Sequence, residues 1–328
     1  MSAAYPWLVA DIGGTNARFG WIGGPGEPVQ HVRVLPVTAY GDPAAAAAAY
    51  LAQIRGEGLA GAAPRSAAFA VATAVEGDQV ELTNAHWSFS RRAVQAALGL
   101  DLFLLLNDFE ALALSLPRLE AAQLRYWPPG AAVDRPVGQV LAVIGPGTGL
   151  GVAGVVRSRD GWLALPGEGG HMTLAAGDDF ESAVLAYTRR SFDHVSAERL
   201  LSGIGLPTLH EAVAAVLGLS TAAPLATETI VERGLAGGDE ACVRTLGCFC
   251  GLLGSFAGNV ALTLGSRGGV FIGGGIVPRL GERFFASQFR ERFEAKGRFR
   301  GYLQGIPTAL ITDTLAALAG AAQALEQH

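Results

Sequence analysis

The sequence predicts an α/β protein built as two lobes, and three observations carry this. At 328 residues the chain exceeds what one hydrophobic core fills, since single cores stop growing near about 250–300 residues. Short apolar runs alternate with helical stretches, the rhythm of a sheet with crossover helices. A strand that delivers a Gly-Thr turn into a second strand occurs twice, because LVADIGGTNARFGWIG (8–23) lies over LAVIGPGTGLGVAGVV (141–156), with Leu141 on Leu8, Gly147 on Gly14 and Thr148 on Thr15. As an internal duplication this gives equivalent lobes facing one another across a cleft, each offering a turn to one end of a triphosphate. Chance likeness of two Gly-Thr turns is the alternative.

The first copy explains why a turn of this composition suits a phosphate. The apolar run Leu8, Val9, Ala10 brings Asp11 to the mouth of a turn made by Gly13, Gly14 and Thr15. Adjacent glycines admit positive φ and aim N–H groups at one point, Thr15 and Asn16 add side-chain donors, and Arg18 adds a cation. An aspartate beside such a turn suits magnesium, directly or through water. A plain hairpin with an Asp-capped turn satisfies Gly-Gly-Thr alone equally well. The second copy carries Ile144 where the first has Asp11, so only the first holds metal.

The elements between follow from their patterns. A strand over 29–37, an alanine-rich helix over 43–54 and a buried strand over 67–74 precede a loop with Thr83, Asn84, Trp87 and Phe89, then a helix over 91–98. The apolar run LFLLL (102–106) stops at Asn107-Asp108, and a helix over 109–116 follows. Ligands collect at the carboxyl ends of strands in open α/β sheets, which places Asn107 and Asp108 where a substrate is met. Asp108 also suits a helix N-cap. Residues 117–134 read as the crossing between lobes.

The loop LPGEGGH (165–171) reads as flexible. It lacks the helical spacing of a metal-binding His pair, so Glu168 and His171 suit hydrogen bonds to a hydroxylated ligand, or a surface turn. SAERLLSG (196–203) reads as a capped helix with Glu198 in its first turn, where a carboxylate complements the helix dipole. Residues 245–266 contain no charge and are long enough to cross a bilayer. Thr245, Ser255, Asn259 and Thr263, with no interfacial Trp or Tyr, favour a buried central helix whose Gly247, Gly251, Gly254 and Gly258 form a smooth face. A strand over 269–272 ends in Gly273, Gly274 and Gly275, which admit an adenine or ribose against the backbone, or a close helix–strand contact. The tail, 307–325, is a strand and a helix.

Net charge is -5 with no block of like charges, which gives no footprint for nucleic acid or an acidic membrane. Three cysteines, Cys242, Cys248 and Cys250, are an odd number in a long chain and fit a reducing cytoplasm better than disulfides. They read as helix core, since a zinc site would need a fourth ligand and a turn to fold the ligands back, and no histidine stands near them. The N-terminus MSAAYPWLVA has no basic region ahead of its apolar run, so a cytoplasmic protein is expected.

Together ADIGGTNARFG, LNDFEALAL, IGPGTGLGV, LPGEGGH, ERLLSG and FIGGGIVPR, in this order over nearly the whole chain, resemble the bacterial glucokinase family, within the hexokinase, heat-shock-protein-70 and actin superfamily. The resemblance implies two ribonuclease-H-like lobes of the actin-like ATPase fold around an active-site cleft, with 1–117 plus 309–328 as the small lobe and 118–308 as the large. It implies ATP-dependent phosphorylation of D-glucose to glucose 6-phosphate, the first step of glycolysis, with magnesium as the metal and a homodimer as the assembly. By the same resemblance Asp108 is the general base for the sugar 6-hydroxyl, and Asn107, Asp108, Glu168, His171 and Glu198 bind the sugar. Asp11, Gly13, Gly14, Thr15 and Asn16 match one phosphate and magnesium site, Gly147, Thr148 and Gly149 the second turn, and Gly273, Gly274 and Gly275 the adenosine site.

Related repressors and open-reading-frame sugar kinases carry a cysteine-rich zinc motif after the Glu and His loop. Here MTLAAGDDF follows His171, so no structural zinc is expected. The alternatives are a kinase of another hexose such as mannose or glucosamine, or a sugar-sensing regulator. The regulator needs a DNA-binding segment ahead of the first glycine turn, and only ten residues precede Asp11. An actin-like or chaperone-like ATPase would leave LPGEGGH without a role.

Overall fold

The structure, a computed structural model, describes residues 3–82, 86–128, 139–219 and 223–328. Thr83, Asn84 and part of the expected crossing, 129–134, lie outside them. The chain forms two compact units: Met1–Leu119, Arg157–Pro166 and Thr314–His328 make the first, and Glu120–Val156 and Gly167–Asp313 the second.

In the first unit, β1 (Trp7–Ile12), β2 (Asn16–Ile22), β3 (Gln30–Pro36), β4 (Ser66–Val71), the small hairpin β5 (Gln79–Glu81) and β6 (Ser88–Ser90), and β7 (Leu102–Asn107) are the strands. The main sheet runs β3-β2-β1-β4-β7, antiparallel across β3, β2 and β1 and parallel across β1, β4 and β7. All six residues of β4 are buried, as a parallel strand covered on both faces must be. Helix α1 (Pro43–Gly56) begins where Asp42 accepts the Ala45 N–H at 2.7 Å, with proline at its first position. Helix α2 (Arg91–Leu98) runs from a Ser90 cap to Gly99, whose φ of 65° ends it. Phe19, Phe69 and Phe103 pack edge to face across three strands at 5.8 and 5.0 Å. Helix α3 (Asp108–Ser115) leaves β7 and lies against the C-terminal helix Ala316–Glu326. That approach requires Gly320, because a Cβ there would fall on the Ala111 carbonyl oxygen.

The second sheet comprises β8 (Leu124–Tyr126), β9 (Val140–Pro146), β10 (Leu150–Ser158), β11 (Gly161–Gly167), β12 (Val270–Ile272) and β13 (Thr308–Ile311), in the order β11-β10-β9-β12-β13-β8. Its strands fall in the second unit except for residues 157–166, the end of β10 and most of β11, which belong to the first. Leaving out β8, this is the order of the first sheet, with β12 parallel to both β9 and β13. Each sheet is therefore ribonuclease-H-like, and the duplication read from the two glycine turns extends to whole sheets.

Two expectations change here. The segment read as a crossing contains β8, which pairs antiparallel with β13. Strand β13, assigned to the small lobe from the sequence, is hydrogen-bonded between β12 and β8, so the chain leaves the second unit after Asp313 and not at 308.

Helices α4 (Asp179–Thr188), α5 (Leu206–Val216), α6 (Thr227–Ala236) and α7 (Glu240–Leu264) follow, then the short α8 (Ile276–Leu280), α9 (Glu282–Phe285) and α10 (Phe289–Glu294). Helix α7 is long and apolar enough to cross a membrane, yet 83% of its most apolar window is buried inside the structure. A Cβ at Gly254 or Gly258 would meet the backbone carbonyls of Phe289 and Phe293. The smooth face therefore exists to seat α10.

Gly320→Ala should cost about 1–3 kcal/mol, because the added carbon overlaps backbone. Gly247→Ala, where an added Cβ meets nothing within 4 Å, should gain about 0.5–1 kcal/mol from helix entropy. Melting temperatures of both variants check this, and a Gly320→Ala protein as stable as the parent would contradict the packing.

Candidate active site

The register of the first sheet places its candidate residues on one edge. Ile12 pairs with Val71, and Val71 with Asn107, so Asp11, the chain after β4, and Asn107-Asp108 stand in a row at the carboxyl ends of three parallel strands. Two strand spacings separate the first from the last, about 10 Å.

Between β1 and β2 the turn is closed by Gly13 N–H donating to Asn16 O at 3.0 Å, while Thr15 O accepts from Val37 N–H at 2.9 Å. Gly13 has no positive φ, and a Cβ on it would make only an ordinary 3.6 Å contact. The expected left-handed backbone is absent at Gly13 and Gly14, because the hairpin closes without it. Glycine at 13 instead keeps the outer face of the turn bare. Asp11 sits opposite Arg18 in the ladder, and its Oδ2 accepts from Arg18 Nη1 at 3.1 Å. Burial pushes the Asp11 carboxyl above its ordinary range despite the lowering by Arg18.

At the end of β7 the structure decides which residue caps the helix. Asn107 Oδ1 accepts from Phe109 N–H at 2.9 Å and from Glu110 N–H at 3.4 Å, and its Nδ2 donates to Thr73 O at 3.1 Å. Asn107 is the N-cap. Asp108, considered for that role from the sequence, is the first helical residue, and its Oδ1 accepts from Phe109 N–H at 2.9 Å. It is half-buried. Thr73 was not singled out by the sequence, although its place just past a parallel strand was a signal.

The second unit repeats the arrangement with different fastenings. Gly147 N–H donates to Gly149 O at 2.9 Å, and the turn accepts from Gly203 N–H (2.8 Å) and Ile204 N–H (3.2 Å) at the carbonyls of Gly147 and Thr148. Glu198 Oε2 accepts from Leu150 N–H at 2.8 Å, and a Cβ on Gly149 would fall on that oxygen. Gly147 has open space where its Cβ would be. Strand β12 ends alongside, with Gly273 N–H donating to Ile144 O at 2.8 Å. Gly274, at φ 78°, packs where a side chain would strike Pro146 O. The close helix–strand approach thus accounts for Gly274, while Gly275 has nothing within 4 Å and leaves that edge open.

Two local expectations are corrected. Residues 196–203 form no regular helix. Ser196 Oγ accepts from Arg199 N–H and Ala197 O from Leu201 N–H, giving one capped turn, since Gly203 and Ile204 are drawn to the Gly147 turn. The loop expected to be flexible is fixed. Glu168 bridges Val152, Gly169–His171 is a 3-10 turn, and Gly170 O accepts from Glu198 N–H at 2.8 Å. A Cβ on Gly170 would overlap Leu150 O, so that glycine serves packing. Glu168 and His171 are exposed. A cavity of about 530 Å³ in the same unit, lined by Glu181, Arg244, Gly247, Cys248 and Arg283 among others, contains none of the residues expected from the sequence to bind ligand.

A bare glycine turn at the carboxyl edge of each sheet, one beside a carboxylate, can hold phosphate oxygens on backbone N–H groups. The glucokinase family model matches residues 8–328. The chain belongs to the glucokinase family. A glucokinase of Aromatoleum aromaticum is 50% identical over 99% of this chain and 96% of its own length. A bifunctional protein glk of Burkholderia thailandensis is 48% identical over 98% of this chain, which spans about half (49%) of that relative. Among solved structures, a glucokinase from an Antarctic psychrotroph superposes with a TM-score of 0.88 at 38% identity, covering 98% of this chain and 99% of that one.

Asp11 gives this glucokinase-family site a pH signature. A carboxyl raised by folding favours the native state only when protonated, so its ionisation weakens the fold as pH rises past the ordinary aspartate value of about 3.9. Asp11→Asn should therefore melt at or above the parent temperature at pH 7, with the advantage gone below about pH 4. Thermal melts across that range check this, and a clear loss of stability at pH 7 would contradict it.

Proposed function

We propose that this chain transfers the γ-phosphoryl group of ATP to the 6-hydroxyl of D-glucose, giving ADP and glucose 6-phosphate. The observation that carries the mechanism is at the end of β7: Asn107 fulfils the capping role, so the fold does not need Asp108 as a cap. Its carboxylate accepts the proton of the sugar 6-hydroxyl as that oxygen attacks phosphorus. A carboxylate in that position suits a proton transfer late in such a reaction.

Asn107, Glu168, His171 and Glu198 hold ring hydroxyls. Asn107 contributes its remaining amide N–H, and Glu198 its Oε1, since Oε2 is committed to Leu150 N–H. Gly13, Gly14, Thr15 and Asn16 with Gly147, Thr148 and Gly149 seat the phosphates, and Gly273, Gly274 and Gly275 border the adenosine. Asp11 fits magnesium as a hard oxygen donor whose buried charge a cation would relieve. Bound there with the nucleotide, the ion would neutralise phosphate charge, the main demand of phosphoryl transfer besides alignment. The reading extends to a cytoplasmic enzyme that works as a homodimer.

A coupled assay over glucose, mannose, glucosamine and fructose, with ATP, ADP or polyphosphate as donor, tests the assignment. Glucose with ATP and magnesium should be fastest, and ATP turnover without sugar should be nearly silent. Equal ATP turnover with and without every hexose would overturn it. Asp108→Asn keeps the size of the side chain and leaves the Asn107 cap in place, so its melting temperature should match the parent. Its turnover number should fall by about 100- to 10,000-fold, the usual cost of removing a general base. Normal turnover in that variant would remove Asp108 from the mechanism.

A further inference from the structure

The fold gathers a second set of polar side chains in the helical part of the second unit, among residues that the proposed kinase chemistry does not use. His210 on α5, Asp239 at the N-cap of α7 and Cys242 in the first turn of α7 each present a donor atom, and these atoms lie within 4.8 Å of one another. Among the described residues they are the one group of three or more such donors. No histidine stands near the cysteines in the sequence, but α5 packs against α7 and brings His210 across 31 intervening positions to Cys242.

Two of the three donors suit a cation as they stand, while burial and the Asp239 carboxylate push the Cys242 thiol up to about 11, so the ion itself must displace that proton. Cys242 is fully buried and His210 is 3% exposed, and the Nε2 of His210 is buried without a hydrogen-bond partner. A buried ring nitrogen left unpaired is costly, and a ligand or proton acceptor in the cluster would satisfy it. Burial lowers the pKa of His210, which keeps the imidazole neutral and its lone pair available. Asp239 Oδ1 accepts from Cys242 N–H at 3.0 Å, Oδ2 stands 3.6 Å from Arg233 Nη1, and the Asp239 side chain is half-exposed. Imidazole, thiolate and carboxylate together select a borderline divalent ion and disfavour magnesium or calcium, which take all-oxygen sets. Tetrahedral zinc bonds of about 2.0–2.3 Å bring donors closer to one another than 4.8 Å, so binding draws the three groups together.

We propose that His210, Asp239 and Cys242 bind one zinc ion, with water in the fourth position on the Asp239 side, and that the ion ties α5 to the start of α7. On binding, the Cys242 thiol loses its proton to solvent, a sulfur–zinc bond forms, and no electron is transferred. This site is separate from the Asp11 turn and from the loop after His171, where no zinc motif stands.

The test uses the full chain without an affinity tag, stripped with chelator and then dialysed against zinc alone. Elemental analysis should find close to one zinc per chain, and the melting temperature should rise with zinc. Cobalt in place of zinc should give the near-ultraviolet charge-transfer band of a cobalt–thiolate bond. Cys242→Ser and His210→Gln should lose the band and most of the bound metal, while Cys248→Ser should keep both. Should either first variant fail to fold, the cobalt spectrum of the parent still decides. A folded parent that retains no zinc and shows no thiolate band, or a Cys242→Ser protein that binds like the parent, would overturn the proposal and leave a hydrogen-bonded cluster only.

Discussion

The strand register of the first sheet is the constraint on which its chemistry depends. Ile12, Val71 and Asn107 are tied in one row by parallel pairing, so the residue types at three strand ends share one edge. A slip of one residue would turn Asp11 and Asn107 to the opposite faces of the sheet. The buried apolar runs of β1 and β4 forbid such a slip, because both faces are packed and every side chain has its place. The hydrophobic core therefore sets the positions of the polar groups, and Asn107 transmits this setting into α3 through its cap and its bond to Thr73.

The second unit reaches a similar edge by other means. Its glycine turn has no carboxylate in the strand, and is held from outside by Gly203, Ile204 and Glu198. Glu198 touches both the turn, through its side chain, and the Glu168 to His171 loop, through its backbone N–H to Gly170. In the proposed reaction this makes Glu198 a mechanical link between sugar and phosphate contacts. Glycines in these segments fall into two kinds. Gly170, Gly274 and Gly320 are demanded by neighbouring backbone, whereas Gly13, Gly147 and Gly275 leave room for a side chain.

Much of this was legible in the residues. Strands LVA and LFLLL were found from their unbroken apolar runs, and the repeated Gly-Thr turn foretold two sheets of one topology. The expected helix at 91–98 has the bounds of α2 because Ser90 and Gly99 mark its ends chemically. What failed were features fixed by distant partners. The cap at Asn107 depends on Thr73, the single turn at 196–203 depends on the Gly147 turn, and β8 acquires its strand identity only from β13. His210 and Cys242 meet through helix packing that no local pattern records.

A crystal structure of the chain with glucose and a non-hydrolysable ATP analogue decides whether the end of β7 presents the proposed general base to the sugar. The glucose 6-hydroxyl should lie within hydrogen-bond distance of the Asp108 carboxylate, about 2.6–3.2 Å, with Asn107 still capping α3 and analogue phosphates on the Gly13 and Gly147 turns. A sugar bound with its 6-hydroxyl away from Asp108, or phosphates seated on neither turn, would contradict it.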